Sequence, residues 1–144
     1  MDILKTKQQQ LLHALETLET SINSFQTFNK LDETPFDYID YDETRRVFRD
    51  SMVQRFEYCA DLFWKFLKKR VEKIDQTVLN SPTPVIRAAY KIGLLREEDA
   101  ELALKINDSR NLTSHIYHEE IAEQLARDIP VYYQLMHTVT EQFN

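Results

Sequence analysis

Apolar residues recur at helical spacing along most of this chain. From about Ile3 to Phe28 they lie alternately four and three positions apart, which is typical of one helix face packed in a bundle. A second segment, from about Thr44 to Leu79, carries two neighbouring apolar stripes and therefore predicts a central helix that contacts several others. The two stripes consist of Met52, Phe56, Cys59, Phe63 and Phe66, and of Val53, Ala60, Trp64, Leu67, Val71 and Ile74.

Residues 30 to 43 interrupt this pattern. Pro35 and the acidic residues around it predict a loop, with Asp42 or Thr44 as the N-cap of the second helix. We expect the aromatic residues of this segment to pack the loop onto the bundle; they are Phe36, Tyr38 and Tyr41.

Three shorter helices follow the central one. Thr83-Pro84 is typical of an N-cap followed by a first helical residue, and Gly93 is suited to end that short helix. A fourth helix is predicted from Glu97 toward His115. A fifth is predicted from Glu119 to Phe143, kinked at Pro130 because proline removes one internal hydrogen bond.

Composition agrees with helices. The 144 residues include a single glycine, which is too few for the turns of a β-rich domain, and 42% of them are hydrophobic. The length predicts one domain spanning 1–144 and an all-α fold, an up-and-down bundle of four or five helices. With one cysteine, Cys59, and neither a signal-like start nor a long apolar run, we expect a cytoplasmic protein without membrane contact.

The net charge of −6 argues against a broad, non-specific nucleic-acid binder. The distribution is uneven, since Lys and Arg outnumber Asp and Glu between residues 45 and 73 and the reverse holds between 96 and 128. Taken alone, this pattern favours two solvated helix faces, although the basic run from Lys65 to Lys73 would also suit phosphate backbones.

Candidate chemistry is concentrated between residues 107 and 120, in Arg110, Asn111, His115 and Tyr117. Histidine exchanges protons near neutral pH, and arginine binds phosphate through two parallel hydrogen bonds. These residues therefore permit cleavage of RNA without a metal, in which a 2′-hydroxyl of the RNA attacks the neighbouring phosphodiester. Arg110 and His115 would lie about 140° apart on an ideal helix, so they converge only through a kink, a curled side chain or a second subunit. Spacing alone favours helix-end capping and surface pairing.

The sequence Arg110-Asn-Leu-Thr-Ser-His115-Ile-Tyr117 resembles the Arg-x4-His-x-Tyr motif of HepT-type HEPN proteins, also called the nucleotidyltransferase substrate-binding protein family. Residues 49–68 resemble the long second helix of that family, and residues 81–94 resemble its short third helix. The three blocks together cover most of the chain after residue 45, in the expected order.

This resemblance implies a metal-independent ribonuclease toxin without a cofactor, acting on RNA such as tRNA or mRNA. It implies a homodimer whose two subunits bring Arg110 and His115 into a composite cleft, with Asn111 in support. It also implies a minimal nucleotidyltransferase antitoxin, encoded nearby, that silences the toxin by transferring AMP onto Tyr117. One position departs from the pattern, because His118 stands where Asn or Asp is usual.

Two other functions remain open at this point. The chain can be a non-catalytic binding subunit that presents a substrate, or its own Tyr117, to a nucleotidyltransferase, or it can be a purely structural helical dimer. A metal site at His115, His118 and Glu119 is disfavoured because no further ligands accompany them. Glu57, between apolar neighbours in mid-helix, is expected to be partly buried and paired with an arginine.

Overall fold

A computed structural model describes residues 2–31 and 40–143. It contains five α-helices and one short 3-10 turn, and no strand among the described residues. The helices are α1 (Ile3–Asn29), α2 (Tyr41–Asp75), α3 (Pro82–Lys91), α4 (Glu97–Leu112) and α5 (Glu119–Glu141), with the 3-10 turn at Thr113–His115. The all-α prediction is therefore confirmed. Within the described ranges, no helix is long and apolar enough to cross a membrane.

Contacts at the two ends of the bundle show the directions of the long helices. At one end of the bundle, the Gln8 side chain donates to the carbonyl oxygens of Thr140 at 2.9 Å and Phe143 at 2.6 Å, so the start of α1 meets the end of α5. At the other end Phe28, near the end of α1, stacks on Tyr41 at the start of α2, with ring centroids 4.9 Å apart. Both α2 and α5 thus run antiparallel to α1, as in an up-and-down bundle.

Helix α2 packs against every other helix, as its two apolar stripes predict. Cys59 lies fully inside the core, where burial raises the pKa of its thiol to about 12 and leaves it unreactive at neutral pH. Trp64 is half-buried and packs against the core. Ile74 departs from the prediction, because it is exposed in the last turn of α2.

The bounds of α2 differ from the predicted ones at both ends. The helix begins at Tyr41 because the Asp40 side chain caps it, accepting from the backbone N–H of Glu43 at 3.1 Å. The predicted caps, Asp42 and Thr44, lie inside the first turn. The helix ends at Asp75, with Gln76 left-handed at φ 57°, so Leu79 lies outside it. Tyr41 does pack against the bundle, whereas Pro35, Phe36 and Tyr38 lie outside the described residues.

The later helices follow the prediction more closely. Helix α3 begins two residues earlier than expected, with Ser81 at the N-cap position and Pro82 as its first residue. Gly93 adopts φ 83° just beyond α3, in the conformation that glycine adopts without steric cost. Helix α5 continues through Pro130. The main difference concerns α4, which ends at Leu112 and not at His115.

Candidate functional site

Arg110, in the last turn of α4, is held by two carboxylates of α2. Its Nε donates to Asp61 Oδ1 at 2.8 Å and its Nη2 to Asp61 Oδ2 at 3.0 Å, which is a two-pronged grip. Nη2 also lies 3.2 Å from Glu57 Oε1, and 29% of the Arg110 side chain remains exposed. The bonds from Asp61 raise the pKa of Arg110 against the lowering effect of burial, so the guanidinium stays charged.

At Thr113 the α-helical geometry of α4 changes to a tighter 3-10 turn. Thr113 is buried, and its Oγ1 lies 2.8 Å from Glu57 Oε2 and 2.8 Å from the Arg110 carbonyl oxygen, two acceptors for its single proton. A threonine hydroxyl bonded to a backbone carbonyl competes with the helical pattern, and Thr113–His115 form a 3-10 turn. The cluster of Arg110, Glu57, Asp61 and Thr113, hereafter the carboxylate clamp, fixes this turn on α2.

His115 and Tyr117 project from the turn toward solvent. His115 Nδ1 lies 3.3 Å from the Tyr117 hydroxyl oxygen, and the two ring planes are tilted by 59°. Tyr117 is 72% exposed. A backbone bond from His118 N–H to the His115 carbonyl, 3.0 Å long, closes the turn beneath them. The hydroxyl and the imidazole therefore form an accessible pair on an anchored turn.

The neighbouring polar residues are also exposed. Asn111 lies on the solvent side of the last turn of α4. The His118 ring packs on the Tyr117 ring, with centroids 4.3 Å apart, and His118 stands at the N-cap position of α5. Within the described residues, no group of three or more His, Cys, Asp or Glu side chains is placed to hold a metal ion.

A second ionic cluster fixes the far side of the same turn. Arg49 is only 2% exposed, and it donates to Glu119 Oε2 at 2.7 Å and Asp50 Oδ1 at 2.9 Å. Glu119 is the first residue of α5, so this pair joins the start of α5 to α2. Burial lowers the pKa of Arg49, but the bonds from Glu119 and Asp50 outweigh burial and raise it. The segment that carries His115 and Tyr117 is thus held at both ends.

The structure places the predicted residues on one corner of the bundle but does not join all of them. Arg110 faces Asp61 and Glu57, whereas His115 faces Tyr117, so within this chain the two predicted catalytic groups bond to different partners. The angle expected on one continuous helix does not apply, because α4 ends between them.

Sequence reasoning found part of the clamp. Glu57 is half-buried and paired with an arginine, as predicted. Asp61, the stronger partner of Arg110, was missed, although its spacing of four residues from Glu57 places both carboxylates on one helix face. Arg49 and its role at Glu119 were missed too, since nothing in the local sequence marks an arginine that becomes fully buried.

A very small cavity adjoins Arg110. The cavity beside it, lined in part by Asp61 and Trp64, has a volume of about 10 Å³, which is room for one water molecule at most. In the basic run, Lys68 and Lys69 lie 3.7 and 3.4 Å from Glu72, so part of the run pairs with a carboxylate of its own helix.

The carboxylate clamp gives a first prediction. Replacing Arg110 with Met should lower the free energy of unfolding by about 1–2 kcal/mol, between the values for exposed and buried ion pairs, because two carboxylates lose their counter-ion. Lys should recover only part of this loss, since an ammonium cannot span both Asp61 oxygens. Urea unfolding at neutral pH measures the change. The matched control is Arg96→Met at an exposed i,i+3 pair; an equal loss there would contradict the prediction.

The comparisons with known proteins agree with this architecture. Residues 8–144 match the family described as nucleotidyltransferase substrate binding protein like. A crystal structure from Thermus thermophilus is 36% identical, covers 87% of this chain and 97% of its own, and gives a TM-score of 0.65. A Haemophilus influenzae protein, described as revealing the fold of a substrate binding domain of a nucleotidyltransferase, is 22% identical, covers 94% and 97%, and gives a TM-score of 0.78. Among curated proteins, none matches this chain.

The two solved structures share the helical fold of this chain. The chain belongs to the nucleotidyltransferase substrate-binding-protein-like family. The matched residues include α1 from residue 8 onward and every later helix.

Proposed function

We propose that this chain is a binding subunit of a nucleotidyltransferase and that it presents the turn carrying His115 and Tyr117 to that partner. The observation that carries the proposal is the exposure of the Tyr117 hydroxyl on a turn anchored at both ends. A nucleophile offered to a second protein must be accessible and held in place, because orientation supplies much of the rate of a transfer reaction. Membership of the family supports the identity of the partner.

The carboxylate clamp also favours a presenting role over a nuclease site within one protomer. It combines one guanidinium with two carboxylates, so its formal charge is negative and RNA phosphates gain little from approaching it. The donors of Arg110 that would grip a phosphate are already used by Asp61. In this protomer, Arg110 supports the turn.

A second candidate is the metal-independent ribonuclease toxin that the sequence resemblance implies, acting as a homodimer. Two observations favour it. Part of the Arg110 side chain remains in solvent, and His115, five residues further along the chain, is exposed. A second copy would then bring its His115 to the Arg110 of the first. AMP on Tyr117 would silence such a site, since it would cover the nearby His115 nitrogen and repel RNA phosphates.

One experiment separates the two candidates. The purified chain, without any partner, is incubated with total tRNA and with an mRNA transcript in the presence of EDTA. The binding-subunit proposal expects intact RNA from both wild type and His115→Ala. Cleavage by wild type that His115→Ala abolishes would establish the ribonuclease instead.

The partner is tested by co-expression. The tagged chain is produced together with a candidate minimal nucleotidyltransferase and is purified through the tag. The proposal expects a stable complex on size-exclusion chromatography. Independent elution of the two chains, at concentrations well above micromolar, would refute a binding-subunit role.

A further inference from the structure

We infer that His115 is the general base for nucleotidyl transfer onto Tyr117, taking the phenolic proton as the hydroxyl attacks. This inference rests on the proposed function, in which Tyr117 is offered to a nucleotidyltransferase. It adds a catalytic residue supplied by the acceptor chain itself. Its basis is the 3.3 Å separation between His115 Nδ1 and the Tyr117 hydroxyl oxygen.

A base is needed at this position. A tyrosine hydroxyl titrates near pH 10, so at neutral pH it is protonated and weakly nucleophilic. An imidazole within hydrogen-bond reach can take the proton during attack, which contributes about 100-fold or more to a rate. With its proton on Nε2, His115 presents the lone pair of Nδ1 to the hydroxyl of Tyr117.

The turn makes this pair a stable arrangement. The bond from His118 N–H to the His115 carbonyl fixes the backbone between the two side chains. Thr113 ties the turn to Glu57, and Arg49 ties Glu119 to α2. In the described part of the chain, the His115 side chain makes one hydrogen-bond contact, which is to the Tyr117 hydroxyl.

The reaction balances without a redox partner. The Tyr117 oxygen forms a bond to the α-phosphorus of a nucleoside triphosphate, and the bond from that phosphorus to the β-phosphate oxygen breaks to release pyrophosphate. The phenolic proton passes to His115 Nδ1. Because His115 is exposed, a proton then leaves to solvent. The triphosphate and its divalent cation are held by the partner enzyme.

His118 is the alternative base and the sharpest comparison. It also touches Tyr117, but ring against ring at 4.3 Å, while the hydroxyl lies against His115. If contact alone mattered, both histidines would contribute. If proton transfer matters, only His115 does.

The test measures transfer of radiolabel from α-labelled ATP onto the chain by its partner nucleotidyltransferase with Mg²⁺. We expect His115→Gln to slow labelling about 100-fold and His118→Gln to change it less than about threefold. Added imidazole should restore part of the His115→Gln rate, which a purely structural role would not allow. His13→Gln, at an exposed site on α1, controls for general effects of losing a histidine.

The outcomes separate this inference from the proposed function. Unlabelled wild type would overturn both. Labelled wild type with an unchanged His115→Gln rate would overturn the base and leave the binding-subunit role standing. A slow His115→Gln that imidazole fails to rescue, or a slow His118→Gln, would also overturn the base. Co-purification of each variant with the partner shows whether docking is intact.

Discussion

Tyr117→Phe should abolish nucleotide labelling of this chain while leaving its fold intact. The substitution removes only the hydroxyl oxygen, which is the proposed nucleophile. Tyr117 is mostly exposed, so its loss should change the free energy of unfolding by less than about 0.5 kcal/mol. The measurement is intact-protein mass after incubation with ATP, Mg²⁺ and the partner enzyme.

The matched control is Tyr58→Phe, which removes a similarly solvent-accessible phenol from α2. It should be labelled at the wild-type rate. Labelling of Tyr117→Phe to the wild-type extent would place the acceptor elsewhere and refute this part of the proposed function. If the chain proves to be a ribonuclease, the same variant should cleave RNA and escape silencing by the partner.

Arg49→Met should lower the free energy of unfolding by about 3 kcal/mol, the lower end of the range for breaking a buried ion pair. Methionine keeps much of the buried stem, but the Asp50, Glu119 and Glu123 carboxylates lose a guanidinium within 3.5 Å. The lower end applies because the Glu119 side chain is more than half exposed and regains water. Urea unfolding at neutral pH measures the loss.

Acid pH should reduce the difference in the free energy of unfolding between wild type and Arg49→Met. The bond from Arg49, together with the charges of Arg49 and Arg46, lowers the pKa of Glu119 in the folded chain. Its stabilising contribution is therefore complete above the ordinary glutamate pKa of about 4.3 and is lost as pH falls through the lowered folded value. Wild type and Arg49→Met should converge in stability in that acid range.

The control is Arg46→Met, which removes a more exposed arginine from the same carboxylate at 3.4 Å. It should cost less than about 1 kcal/mol. Equal losses for Arg46 and Arg49 would mean that burial of Arg49 contributes nothing, contrary to the prediction. Because Glu119 begins α5, Arg49→Met should also loosen the turn that carries Tyr117.

The family could be recognised before the fold was known, but its chemistry could not be settled. The Arg110 to Tyr117 motif and the two flanking blocks pointed to nucleotidyltransferase-associated helical proteins. The match over residues 8–144 confirms the family. Whether Arg110 binds a phosphate or a carboxylate depends on which side chains the neighbouring helix places against it. Its partner Asp61 is 49 residues away in the chain, so no local pattern reveals it.

Four features could be predicted from the amino-acid sequence alone: the helices, the central place of α2, the burial of Cys59 and the pairing of Glu57 with an arginine. Helical periodicity is a local property of the backbone, so apolar spacing is enough to predict which face is buried. The packed structure was needed to show that α4 ends at Leu112 and that His115 meets Tyr117 and not Arg110. Both outcomes depend on contacts with distant residues, namely Thr113 with Glu57 and Arg110 with Asp61, which exist only after the helices pack.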